Sequence, residues 1–206
     1  YKANDMVKAD CGGCEGCSQC CRGMGSSIIL DPYDVYRLTT GIGKSMQELL
    51  ATSVELNVVD GVILPNLKMQ GTKEACAYLD EEGRCSIHPY RPGICRLFPL
   101  GRYYENGGFS YFLQTGECAK ENRSKIKVSK WIDTPDLTRN QQFTLQWHDL
   151  LHAMEERLTG EDEGKQREEN LLLLRLFYLL PYEGTIDFYT QFTERMEHWN
   201  GQNGQI

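Results

Sequence analysis

The sequence predicts an α+β fold: a small cysteine-rich portion of short hairpins and helices, followed by a helical C-terminal segment of about three helices. Three observations predict it. Asp60-Gly61 and Asn106-Gly107 each separate runs of strand-forming residues, which is the strongest short hairpin signal. The cysteines crowd the first part of the chain and stop after Cys118. Beyond residue 130, apolar residues recur at helical spacing.

Taken in order, residues 11–25 are rich in Gly and Cys and read as a loop that wraps something. Asp31-Pro32 is an N-cap followed by proline at the first helical position, with Gly41 as the expected stop. Ser45-Met46-Gln47-Glu48 matches a capping box and opens a second short helix. Val54 to Val59 and Val62 to Leu64 flank Asp60-Gly61 as a hairpin. Residues 76–88 read as another hairpin, turning at Glu82-Gly83, and Arg91-Pro92-Gly93 breaks the chain before Cys95. A third hairpin runs from Tyr103 through Asn106-Gly107 to Leu113.

The helical stripes come next. Phe143, Trp147, Leu150, Leu151, Met154 and Leu158 mark the first. Leu171 to Leu180 is apolar on nearly every face, so it needs neighbours on more than one side, and Pro181 and Gly184 end it. Tyr189, Phe192, Met196 and Trp199 mark the third, and the acidic stretch 159–164 reads as a solvated connector. The expected division is a cysteine portion over residues 1–130 and a helical segment over residues 131–206 packed on it. Three helices of this size bury only a modest core alone.

Charge narrows the function classes. Lys plus Arg is 22 and Asp plus Glu is 29, a net charge of −7. Such an acidic chain is a poor nucleic-acid binder through its overall field. The longest apolar run, Leu171 to Leu180, contains Arg175 and falls short of the roughly 20 residues of a membrane helix. Tyr1 to Asp10 holds no apolar signal core. A cytoplasmic protein without nucleic-acid or membrane partners is expected.

Nine cysteines are the informative excess, and Cys11, Cys14, Cys17, Cys20 and Cys21 fall within eleven residues. A disulfide framework fits badly, because the count is odd, the chain is long and no secretory signal is visible. A metal needs several thiolates brought together, and a Cys-x-x-Cys turn points two sulfurs the same way. Cys11-x2-Cys14-x2-Cys17-x2-Cys20 is three such steps in succession. Structural zinc sites usually take two separated pairs, whereas consecutive C-x2-C steps resemble the run that wraps an iron–sulfur cluster. An iron–sulfur cluster, [4Fe–4S] by this pattern, is therefore the expected cofactor, with zinc the alternative. Adjacent Cys20 and Cys21 would point apart in an extended segment, which makes two sites the easier arrangement. Arg22, Arg84, Arg91 and Arg96 lie near cysteines and could offset thiolate charge. His88 beside Pro89 reads as structural, and His148 and His152 lack the intervening Glu of an HExxH pair. No phosphate-binding GxxxxGK[ST], GxSxG elbow or GxGxxG is present.

Cys14-Glu-Gly-Cys17-Ser-Gln-Cys20-Cys21 reads as CxxCxxCC. Downstream stand Cys76-Ala-Tyr-Leu-Asp and Cys85-Ser-Ile-His-Pro-Tyr-Arg91-Pro92-Gly-Ile-Cys95-Arg96-Leu-Phe-Pro99. Together these resemble the CxxCxxCC (YkgJ-like) zinc- or iron-chelating cysteine-cluster family over about residues 11–120. The resemblance implies metal chelation by Cys14, Cys17, Cys20, Cys21, Cys76, Cys85 and Cys95, with Cys118 as a late partner. Cys11, an addition to that pattern, completes the nine candidate ligands. The family also includes flagellin lysine methylases, which are longer, and this chain shows no methyl-donor motif. Three readings follow: a metal-binding protein whose metal is structural, sensing or stored; a metal-dependent protein-modifying enzyme such as a lysine N-methylase; and a metal-folded module that docks a protein partner.

Overall fold

The structure, a computed structural model, describes residues 1–12 and 17–203. In chain order the elements are β1 (Met6–Asp10), α1 (Pro32–Ile42), α2 (Met46–Thr52), β2 (Val54–Val59), β3 (Val62–Leu67), β4 (Met69–Gln70), β5 (Ala75–Cys76), α3 (Gly93–Leu97), β6 (Leu100–Glu105) and β7 (Gly108–Leu113). They continue with β8 (Ser124–Lys127), α4 (Val128–Ile132), α5 (Leu137–Leu158), α6 (Glu163–Leu174) and α7 (Phe188–Asn203). Single 3₁₀ turns lie at Gln19–Cys21 and His88–Tyr90, and a π turn at Arg175–Leu179. The strands form antiparallel pairs, β1 with β8, β2 with β3, β4 with β5 and β6 with β7. The fold is α+β, as the sequence predicts.

Local chemistry explains most boundaries. Asp31 Oδ1 accepts the Asp34 N–H at 2.8 Å and Asp34 Oδ2 accepts the Asp31 N–H at 3.3 Å, a reciprocal box with Pro32 at the first position. The helix runs past the expected stop at Gly41 to Gly43, whose φ of 66° is left-handed. Gly41 serves packing instead: a Cβ there would lie 2.3 Å from the Tyr90 ring. Ser45 and Glu48 form the expected box at the start of α2. Asp60 and Gly61 turn between β2 and β3 with φ of 52° and 81°, and Asn106-Gly107 does the same for β6 and β7.

Residues 76–88 fold back on themselves as expected, with antiparallel pairing over a short stretch around Leu79 and Cys85. Cys76 pairs with Met69, and Leu79 and Cys85 make one isolated bridge. Asp80 closes the turn: its carboxylate accepts the Arg84 N–H at 2.6 Å and its carbonyl accepts the Gly83 N–H at 3.1 Å, while its own N–H donates to the Arg84 carbonyl and the Ser86 N–H to the Tyr78 carbonyl, each at 2.9 Å. The acidic stretch is also more than a connector. Asp162 Oδ1 accepts the N–H groups of Gly164 and Lys165 at 2.9 and 3.1 Å and so caps α6. That helix therefore begins eight residues before the apolar run, which ends in the π turn.

Two apolar clusters organise the molecule. The first joins Leu30, Leu38, Leu49 and Leu67 to Phe143, Met154, Phe177 and Phe192 of the C-terminal helices. The second is smaller and gathers Val7, Ala9, Leu97, Leu100, Tyr111, Val128, Trp131 and Ile132. The Trp131 Nε1–H bonds the carbonyls of Leu97 and Phe98, each at 3.2 Å. That bond pins the turn that follows α3.

Candidate metal centre

Four separate segments converge on one cavity. The turn carrying Cys20 and Cys21 is tied to β5 through the Gly23 N–H on the Glu74 carbonyl at 2.9 Å and an Arg22–Ala75 bridge. This sets those two cysteines beside Cys76. The Leu79–Cys85 bridge brings in Cys85. Cys95 arrives on α3, whose first N–H, from Gly93, is held by Asp34 Oδ1 at 2.7 Å. Asp34 thus links the start of α1 to the cysteine-bearing helix, and burial followed by repulsion from Asp31 pushes its carboxyl up to about 7.

Cys17, Cys20, Cys21, Cys76, Cys85 and Cys95 line this cavity of about 260 Å³, and Ile28, Leu67, Ile87 and Phe98 give it apolar walls. Cys76, Cys85 and Cys95 also pack against the first apolar cluster. The Tyr78 N–H donates to the Cys76 sulfur and the Ile87 N–H to the Cys85 sulfur. Such bonds favour the thiolate and hold the sulfurs in place.

Other effects run the opposite way. A hydrogen bond with Cys21, then burial, pushes the Cys20 thiol well above the ordinary range. Burial, then repulsion from Asp34, Cys76, Cys20 and Cys85, does the same for Cys95. Arg91 opposes the shift at Cys20 and Cys85. Crowded, desolvated thiols that repel one another as anions are a donor set that a cation would relieve. As placed, no three or more His, Cys, Asp or Glu side chains among the described residues enclose an ion.

Cys20 and Cys21 do not diverge as an extended segment would require. The 3₁₀ turn brings their thiols into hydrogen-bond contact, and both face the same cavity. Cys14 lies outside the described residues. Cys11 and Cys118 line a separate, smaller cavity of about 20 Å³, with Cys17 and Cys20 on the wall between the two. His88 is the residue sequence reading set aside. Its Nε2 is buried with no partner among the described residues and lines the larger cavity. Burial, then Arg91 and Arg84, keeps the imidazole pKa low, leaving a neutral ring able to ligate a metal. The Cys-Ser-Ile-His spacing was the available signal. Arg84 and Arg91 line the same cavity, while Arg96 is buried over the Tyr33 ring. His148 stacks on Tyr104 with centroids 3.8 Å apart, an aromatic contact and not a metal pair.

A thiol chamber with a buried imidazole nitrogen that has no partner among the described residues, set on a small α+β scaffold, defines a cysteine-based metal-chelating protein. The chain belongs to the CxxCxxCC family, a putative zinc- or iron-chelating domain, whose pattern matches residues 13–144. No curated protein and no solved structure matches it. Among the described residues, no helix is long and apolar enough to cross a membrane.

Proposed function

We propose that the larger chamber holds an iron–sulfur cluster, a [4Fe–4S] centre by ligand pattern. Cys20, Cys76, Cys85 and Cys95 are its ligands, and Cys17, Cys21 and His88 are within the same walls. The observation that carries this reading is size. One water-sized sphere needs about 10–15 Å³, and this thiol-lined space is about 260 Å³. A lone zinc ion would leave most of it empty, whereas a polynuclear cluster uses it. When bound, the cluster would supply either a cross-link between distant segments or a redox-sensitive centre. This reading is supported by the N–H groups that bond Cys76 and Cys85 and by the apolar wall beside them. Reduced thiols are required, so the reading places the chain in the cytoplasm.

Anaerobic purification should give brown protein with broad visible absorbance and both iron and acid-labile sulfide. Colourless protein with stoichiometric zinc would overturn the cluster in favour of a zinc site.

The same reading treats residues 131–206 as a helical support for the cysteine portion, residues 1–130. The first apolar cluster supports this, because Phe143, Phe177 and Phe192 share it with Leu30 and Leu67. Expressed alone, Trp131 to Ile206 should aggregate or fail to melt cooperatively. A soluble, cooperatively melting fragment would show an independent domain.

A further inference from the structure

The outer face of the β1–β8 ribbon concentrates positive charge on an acidic chain. Residues 120–130 carry Lys120, Arg123, Lys125, Lys127 and Lys130 against one acidic residue, Glu121, although the whole chain has a net charge of −7. Strand pairing turns this run into a surface. Val7 and Ala9 of β1 are buried, and Ile126 of β8 packs with them on the second apolar cluster. The alternate residues therefore face solvent, and Met6, Lys8, Lys125 and Lys127 are exposed. The register sets Lys8 directly opposite Lys125 and Met6 opposite Lys127. Like charges placed opposite one another destabilise a strand pair, and none of these three lysines makes an ion pair among the described residues. The carboxylates at either end of β1 are otherwise engaged. Asp5 Oδ2 accepts the Lys2 N–H at 2.7 Å, and the Asp10 carboxylate accepts the Gly12 N–H at 3.0 Å and the Ser124 hydroxyl at 3.1 Å. Just before β8, the Arg123 Nε and Nη1 are buried with no partner among the described residues. The ribbon thus holds cationic donors that the described chain leaves unmet.

We propose that this face docks an extended acidic segment of a partner protein, with carboxylates at alternate positions pairing Lys125 and Lys127 and a third pairing Lys8. The spacing supplies the match. Lysines two apart on a strand stand about 6.8 Å apart, as do alternate side chains of an extended segment lying along them. Met6, 49% exposed, adds an apolar contact beside them. Charge selects the class of partner. At physiological salt an exposed charge acts over about 8 Å, so a short acidic segment meets only the lysines. A long polyanion would also meet the acidic remainder of the chain. Met6, Lys8, Lys125 and Lys127 offer no aromatic ring to stack a base, and Met6 alone is too little apolar surface to enter a bilayer. The proposal does not depend on what fills the thiol chamber.

The test follows the fluorescence anisotropy of a labelled peptide of alternating glutamate and valine titrated with the full chain, with its glutamine counterpart as control. The glutamate peptide should bind, the glutamine peptide should not, and binding should weaken as salt rises. Lys8→Gln/Lys125→Gln/Lys127→Gln should weaken binding about tenfold, the combined effect of three exposed pairs. Lys8→Arg/Lys125→Arg/Lys127→Arg should retain it. The glutamine variant should also melt no lower than the unmodified chain, because it relieves repulsion between facing charges. No binding of the glutamate peptide, equal binding of both peptides, undiminished binding by the glutamine variant, or loss of binding in the arginine variant would overturn the docking face. A lower melting temperature for the glutamine variant would show that the lysines serve the fold and would overturn it as well. Tighter binding of a single-stranded oligonucleotide, or of phosphatidylserine vesicles, than of the glutamate peptide would overturn the acidic segment as the occupant.

Discussion

The two cavities differ in how the chain reaches them. The larger one is assembled from three segments that each fold locally, a 3₁₀ turn, a two-residue strand pair and a bridge closed by Asp80, together with a short helix whose first N–H is held by Asp34, 59 positions earlier. The smaller one depends on β1 meeting β8, whose closest side-chain bond joins residues 114 positions apart. Local assembly fixes donors through neighbouring N–H groups, as at Cys76 and Cys85. Long-range assembly fixes them only once the second apolar cluster has formed, so the smaller cavity inherits that cluster's stability.

Breaking the larger chamber should have the largest effect. Cys76→Ser/Cys85→Ser should remove its metal and lower the melting temperature sharply, because a ligand held at 1,000 times its dissociation constant stabilises a fold by about 4 kcal/mol. An unchanged melt after confirmed metal loss would show that the chamber does not hold the fold together. Trp131→Ala strikes the other cluster. The ring is buried and bonds two carbonyls, so urea unfolding should show a loss of about 3–5 kcal/mol. If the regions are separable, alkylation of metal-loaded Cys85 should stay slow while that of Cys118 quickens. Equal acceleration at both would show a single cooperative unit. The mildest change is Asp10→Ala. It deletes two exposed bonds and should cost about 0.5 kcal/mol, read as faster alkylation at Cys11 with no change at Cys95. No change at Cys11 would show that Asp10 does not position it.

These contrasts explain what the sequence disclosed. Asp60-Gly61 and Asn106-Gly107 were legible because left-handed backbone at two successive residues selects a narrow set of residue types. Ser45 and Glu48 were legible because their reciprocal bonds span only three residues. The pairing of β1 with β8 was not. Lys8, Lys125 and Lys127 interrupt any apolar signature, and nothing local encodes a partner so distant. The start of α6 was hidden for another reason, since Glu163 to Asn170 is polar throughout and only the Asp162 cap marks it. The x2 spacing marked Cys17 and Cys20 as candidate donors. It carried no sign that both would stand on a wall between two cavities.

Arg195 deserves a last consequence. Its guanidinium, buried against the Tyr182 ring at 3.5 Å, donates to the carbonyls of Leu176, Leu180 and Pro181 at 2.8, 3.0 and 2.8 Å. Those carbonyls lie within and just past the π turn that follows α6. The donor comes from α7, later in the chain. Lysine, with one compact ammonium, could not span three carbonyls as the planar fork does. Closure of the π turn thus depends on a donor that α7 supplies.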